Sequence, residues 1–385
     1  MDRARERSDL LLVFGFVGAL LAASILIFVL PVRAFSDAEN RPLQPKPVLA
    51  WDTLLSKQFA KDAESFVTDH FPYRDDWVSM KSALEQARWQ RENNGIYRGK
   101  DSYLFEKFAK PDDAKLSSYV EAVNRLAEAN PGANVAFMLV PTSIGMYPDK
   151  LPWKAPYYPQ SLVNEGVADK LDDRIAFLNG FDFLTEPAQG DRPVYYRTDH
   201  HWTTYGAYLG YVAYAKRMGW QPLPESAFAV STVADDFLGS FQTRSKFGGL
   251  RPDTIDMYAP KTPSRTTAFV ADTGETFDSL YAPEYLNKKD KYSYFLGGVH
   301  ALETIKTELD PAQVSTQKLL VLKDSYAHAM IPFLTRHVPE IHVIDVRYYN
   351  GSIKRYMADN GIQDALLLFN TATFSNEAAM TKLGL

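Results

Sequence analysis

The chain has 385 residues, 46% of them hydrophobic and 23% charged, with a formal net charge of −5. This is a globular balance with apolar material for one large domain or two smaller ones, and it carries no sequence-wide basic field for nucleic acid. Cysteine is absent, which excludes disulfides, thiolate nucleophiles and cysteine metal sites, so localisation has to be read from elsewhere.

The first thirty residues supply it. Leu10 to Leu30, "LLLVFGFVGALLAASILIFVL", is uncharged over 21 residues, and at ~1.5 Å per residue such a helix crosses a hydrocarbon core of ~30 Å. The apolar core of a cleavable signal is shorter, about 7–15 residues. The expectation is an uncleaved single-pass anchor at 10–30, a short cytoplasmic tail at 1–9 and everything later outside the cell. A signal cleaved near "VRA", Val32 to Ala34, is the alternative. Arginines stand on both sides of the helix, at Arg3, Arg5 and Arg7 before it and Arg33 and Arg41 after it.

Residues 31–50 are polar and proline-bearing and read as a stalk. From 51 to about 110 apolar residues recur at helical spacing, as in "LLSKQFAKDAESFV" and "WVSMKSALEQARW", with "HFPYRDD" breaking between them. This predicts a helical lead-in. The remainder, 111–385, alternates strands and helices. "NVAFMLV" (134–140) is a compact strand; "LVNEGVADKLDDRIAFL" is helical and leads to a short strand at "FDFL", 181–184. Near the C-terminus the order repeats: "KLLVL" (318–322), a turn at "KDS", a helix through "YAHAMIPFLTRH", a strand "IHVIDV", a helix "IKRYMADN" and a strand "DALLLF". Crossovers of that length imply a parallel sheet with helices on both faces. Residues 221–316 fit the rhythm poorly and are read as a cap or insertion.

Two places on this scaffold carry chemistry. Ser325 sits on the turn where a buried strand feeds a helix, where ligands of open parallel sheets bind and where free backbone N–H groups can meet an oxyanion. Its bland reading is a helix cap. "RTDHHWTTYG", 197–206, supplies what a serine needs. An imidazole takes the proton, and a carboxylate fixes the imidazole. In an extended segment Asp199 and His201 face one side and His200 the other, and the helix that follows starts at Thr203 or Thr204 and closes at Gly219. Three other readings stand beside this one. Asp199 and the two histidines could bind Zn²⁺ or Fe²⁺, although adjacent histidines rarely converge on one ion. The motif could be a polar network anchoring Trp202, or the base could be His328, one turn after Ser325. Aromatic loops such as "LPWKAPYYP" and "APEYL" would suit sugar rings.

"TDHHW" followed by "KDSY" resembles the DHHW family, a group of anchored extracytoplasmic proteins related to the alginate O-acetylation proteins with SGNH-hydrolase-like folds. Further pieces agree in order: "FSDAENRPL", "FPYRDDW", "GKDSYLFE", "VPTSIGMYPDKLP" and "KYSYFLGG". The resemblance implies a three-layer α/β/α domain with a Ser, His and Asp triad in permuted order, carried onto Ser325, His201 and Asp199. "KDS" stands where a standard SGNH enzyme has "GDS". Gly297 and Gly298 in "FLGGVH" are the candidates for an oxyanion or substrate-binding contribution, with Val299 where an asparagine donor would be expected. The activity implied is transfer of an acyl group, acetyl by default, to a polysaccharide hydroxyl through an acyl-serine, with no cofactor. The donor would arrive through a membrane-bound O-acyltransferase. Water as acceptor would make the same site an esterase, and a non-catalytic scaffold that holds glycan or a partner enzyme is the reading from a different class.

Overall fold

A computed structural model describes residues 2–36, 41–88 and 90–385 and divides the chain into two compact units. The first comprises Met1–Gln90 with Lys246–Gly248, and the second Arg91–Ser245 with Gly249–Leu385.

In the first unit, helix α1 (Asp2–Val29) contains a 19-residue stretch, Asp9–Ile27, long and apolar enough to cross a membrane. Most of the large apolar side chains described between Leu10 and Ile25 are exposed. Three helices follow: α2 (Trp51–Leu55), α3 (Gln58–Asp69) and α4 (Arg74–Ala87). The break between α3 and α4 falls where the sequence places it. Tyr73 takes the left-handed region at φ 56° directly after Pro72, and no helix continues through that pair. The expected stalk is more structured than its composition suggests, because Phe35–Ser36 pairs antiparallel with Arg41–Pro42. The middle of "FSDAENRPL", residues 37–40, and residue 89 of the predicted lead-in lie outside the described residues. The lead-in also ends earlier than expected. Residues 91–110 belong to the second unit, where Glu92–Asn93, Ile96–Arg98 and Leu104–Glu106 form a small antiparallel sheet from strands too short to show a period.

The second unit is built on one eight-stranded sheet. Its strands, in chain order, are β1 (Asn134–Val140), β2 (Ala176–Asn179), β3 (Thr266–Val270), β4 (Glu275–Phe277), β5 (Leu302–Thr307), β6 (Lys318–Lys323), β7 (Glu340–Ile344) and β8 (Asp364–Asn370). The spatial order is β4-β3-β5-β7-β6-β8-β1-β2. The five strands from β7 to β2 are mutually parallel, and their near-continuous Val, Ile and Leu runs are what a sheet covered on both faces requires. Successive residues of β1 reach opposite layers. Phe137 meets Phe374 with ring centroids 4.9 Å apart, while Met138 lies under the helix that carries Gly210.

Three expectations need correction here. The sheet is mixed rather than parallel: β5 runs antiparallel to β7, and β3 and β4 extend that edge antiparallel. These strands come from the segment read as a cap, of which only Phe228–Phe237 and Asp253–Pro260 form a separate two-stranded sheet. Antiparallel strands such as "LETIKT" are half polar and lack the apolar run that marks the parallel strands. The strand expected at "FDFL" is instead the start of a helix, Gly180–Ala188, and the strand lies just before it. Asn179 decides the boundary, since its side chain accepts the Phe181 N–H and caps the helix.

Candidate active site

Two loops meet at the carboxyl end of β6. The first holds Ser325, which follows Asp324 on the turn into helix α5 (Ala327–Leu334). Asp324 fixes that turn from below. Its carboxylate accepts the Tyr326 N–H at 2.9 Å, and both the backbone and side-chain amides of Asn370 at 2.8 Å. Burial nonetheless pushes its carboxyl above the usual range, against the pull of those amides. Ser325 is partly exposed between buried neighbours, and its N–H has no partner among the described residues.

The second loop runs from Tyr195 to Trp202, which bridge to each other at its base. It is held by the buried carboxylate of Asp253, which accepts the backbone N–H groups of Arg197 and Thr198 at 2.9 Å and the Thr198 hydroxyl at 2.7 Å. Helix α6 (Thr204–Arg217) starts immediately after it, capped by Thr203, whose hydroxyl accepts the Gly206 N–H. Gly219, at φ 72°, closes that helix as the sequence predicts.

The segment Asp199 to His201 is a turn, not the extended strand expected. One carboxylate oxygen of Asp199, Oδ1, accepts both the backbone N–H of His201 at 3.0 Å and its Nδ1 at 2.5 Å. An aspartate that bonds the amide two residues on curls the backbone locally. Because an ionised carboxylate only accepts, Nδ1 carries the proton and Nε2 is left to accept from Ser325 Oγ at 2.7 Å. Asp199, His201 and Ser325 thus form one continuous hydrogen-bonded relay, in which His201 and Ser325 are 124 residues apart in sequence. Burial opposes the charge on Asp199, but the imidazoles of His200 and His201 and the Ser240 N–H hold its carboxyl well below the usual range.

His200 does not turn its back on the site. Its ring lies 3.7 Å from that of His201, centroid to centroid, and its Nδ1 meets Ser240 Oγ at 2.6 Å. Burial, with the neighbouring His201, depresses its pKa to about 4. Asp199, His200 and His201 also place ligand atoms within 4.8 Å of one another, the spacing of a metal cluster. Both ring nitrogens of His201 are already engaged, however, which leaves fewer free donors than a metal site needs. His328 is committed elsewhere too: its Nε2 accepts from the buried ammonium of Lys323 at 2.7 Å.

Gly297 and Gly298, the residues expected to help an oxyanion or bind substrate, have φ of 69° and 105°. A Cβ on either would meet His300, Ala282, Ser293 or Tyr285, and none of the relay residues. What that segment does bring to the site is Tyr292. Its ring stacks flat on His201, 3.5 Å away and within 8° of parallel, and its hydroxyl donates to the Ser325 carbonyl at 3.2 Å.

Tyr292, Gly239, Ser240 and Asp253 were not legible as site residues. Gly239 is required by close approach, since a Cβ there would lie 2.3 Å from the Asp199 carboxylate, and the next N–H, from Ser240, donates to Asp199 Oδ2 at 2.7 Å. A glycine-serine pair just after a long strand is the one sequence signal that could have marked this spot.

A family model described as DHHW protein matches residues 96–344. The probable alginate O-acetylase AlgJ of Pseudomonas fluorescens is 26% identical over 172 residues, 43% of this chain and 43% of that protein. The chain spans a little under half the length of the curated relatives it matches, 43% and 49%. Among solved structures, a DHHW family protein from Eubacterium siraeum is 25% identical with a TM-score of 0.66, over 76% of this chain and 95% of that one. PatB1 of Bacillus cereus, solved with a sulfonyl adduct, is 20% identical with a TM-score of 0.62, over 74% and 97%. That second likeness is one of fold.

Proposed function

The chain belongs to the DHHW family, and from that premise we propose that it is a membrane-anchored, extracytoplasmic O-acyltransferase that acetylates a polysaccharide. The observation that carries the reading is the relay from Asp199 through His201 to Ser325, at 2.5 and 2.7 Å. The names of the curated relatives support acetyl as the group and a polysaccharide as the acceptor. The apolar stretch of α1 supports a single-pass anchor with the second unit outside the cell.

The chemistry follows from the roles of the three side chains. Ser325 Oγ attacks the carbonyl carbon of the acyl donor as its proton passes to His201 Nε2. Asp199 stays ionised and stabilises the imidazolium. The tetrahedral oxyanion meets the free Ser325 N–H at the start of α5. Collapse breaks the bond to the leaving group, which takes the proton back from His201, and leaves acyl-serine. A sugar hydroxyl then gives its proton to His201, attacks the ester carbon and departs with the acyl group, and Ser325 Oγ is reprotonated. Water in place of the sugar turns transfer into hydrolysis, so acceptor positioning and exclusion of water decide the outcome. The donor is delivered by a membrane-bound O-acyltransferase, whose product side the anchor brings within reach.

The test is to incubate the full chain with an activated acetyl ester and look by mass spectrometry for a Ser325 adduct that a polysaccharide acceptor discharges. If wild type and Ser325→Ala release acetate equally slowly and no adduct forms, the proposal fails. An adduct that water discharges as fast as any glycan makes the protein an esterase.

A further inference from the structure

Helix α4 presents its large apolar side chains to the outside. Trp77, Met80 and Leu84 recur at the spacing of a single helical stripe and are 53%, 48% and 59% exposed, Tyr73 just before the helix is 69% exposed, and Ser82, on the opposite side of the helix, is 1% exposed. Helix α2 repeats the pattern in short form. Trp51, Leu54 and Leu55 lie on one face and are likewise exposed. Among the described residues, twelve exposed large hydrophobics fall within 31–90 and nine within 91–385, although the second stretch is several times longer. Scattered apolar residues are normal on a soluble surface, but a stripe along a helix marks something that covers it.

The chemistry of the stripe says what. Both helices follow α1 in the chain and belong to the same compact unit, so the cover lies next to the segment able to cross a membrane. Trp and Tyr with aliphatic neighbours are the composition of the headgroup boundary, where an amphipathic helix lies in the plane with its apolar face buried. Lys81, at the border of the stripe with a side chain 69% exposed, is long enough to reach phosphate from there.

We propose that the apolar faces of α2 and α4 lie in the lipid headgroup region of the bilayer that α1 crosses, so that residues 51–84 form a membrane-seated collar. The proposal rests on the anchoring role given to α1.

The absence of cysteine makes the test direct. Full-length chains carrying one cysteine each, Leu84→Cys, Leu55→Cys, Leu20→Cys within α1 or Lys115→Cys on the exposed surface of the second unit, are labelled with an environment-sensitive dye. They are then reconstituted in phosphatidylcholine–phosphatidylglycerol vesicles with spin-labelled lipids. The expected result is that shallow spin labels quench the dye at 84 and 55 several-fold more than at 115, and deep labels quench it at 20. If position 20 is quenched while 84 and 55 behave like 115, the collar is overturned, the anchor stands, and the stripe belongs to a protein partner. If 84 and 55 are quenched but 20 is not, the collar is supported and the anchoring reading falls. If none is quenched, both fall.

Discussion

Trp202 and Tyr326 each hold the backbone of the other's loop. The Trp202 indole Nε1 donates to the Tyr326 carbonyl at 2.8 Å, and the Tyr326 hydroxyl donates to the His200 carbonyl at 2.5 Å. Trp202 directly follows His201 and Tyr326 directly follows Ser325, so the two bonds set the distance between proposed base and nucleophile. Both side chains are fully buried and stay out of the reaction. Trp202 fits only because Gly210 lies beneath it, where a Cβ would approach the indole to 2.7 Å.

Tyr326→Phe removes one half of this clamp. The buried hydrogen bond it forfeits is worth about 1–3 kcal/mol when a partner is left unsatisfied. Urea unfolding is expected to show that loss, and acetyl-ester turnover is expected to fall because His201 and Ser325 drift apart. Lost stability with unchanged turnover would show that the clamp serves folding alone.

Substitutions at the histidines separate their roles. His201→Ala and Asp199→Asn are expected to lower kcat by on the order of 10⁴, measured as release of a chromogenic acetyl ester. His200→Ala and His328→Ala are expected to keep most of the rate. A His328→Ala variant as inactive as His201→Ala would reassign the base.

Gly239→Ala tests the carboxylate's cradle. The added methyl would occupy the place of the Asp199 side chain, 2.3 Å away, and force it off His201. The variant is expected to lose turnover as severely as Asp199→Asn while the remote sheet persists by circular dichroism. Full activity would mean that Asp199 is not the group that orients the imidazole.

Acid should weaken the fold over a defined window. His200 and His337 have pKa values depressed to about 4 by burial, against 6.5 in the unfolded chain. Between those values the unfolded chain binds more protons than the folded one, so lowering the pH from about 6.5 to about 4 favours unfolding. The melting temperature is expected to fall across that range, and His337→Gln is expected to flatten the decline. Invariance from pH 6.5 to 4 would contradict the buried, neutral state of both rings.

Four of the five parallel strands, β1, β6, β7 and β8, could be read from the chain because burial on both faces leaves them almost wholly apolar, and Ser325 could be placed because it follows one of them. The antiparallel edge was hidden by its chemistry. Glu303 and Thr307 of β5 are buried although polar, 1% and 5% exposed, which cancels the alternation that marks a strand. Glu303 carries a penalty for its place, since burial raises its pKa to about 7. In the site, Asp199, His201 and Ser325 announce themselves by residue type. Tyr292 does not, because an aromatic ring stacked on an imidazole looks in sequence like any other core tyrosine. Asp253 acts through backbone amides, which carry no residue identity at all.

The position of β8 constrains how the molecule is made. It is the last strand of the sheet in chain order, yet it lies between β6 and β1 and pairs with both. While the chain is being synthesised, the strand that leads to Ser325 therefore has no link through the sheet to β1 until residues 364–370 emerge. Closure of the sheet is a late, long-range event of the kind that folds slowly. Until it occurs, β6, which leads to Ser325, and β1 belong to two parts of one sheet that are not yet joined.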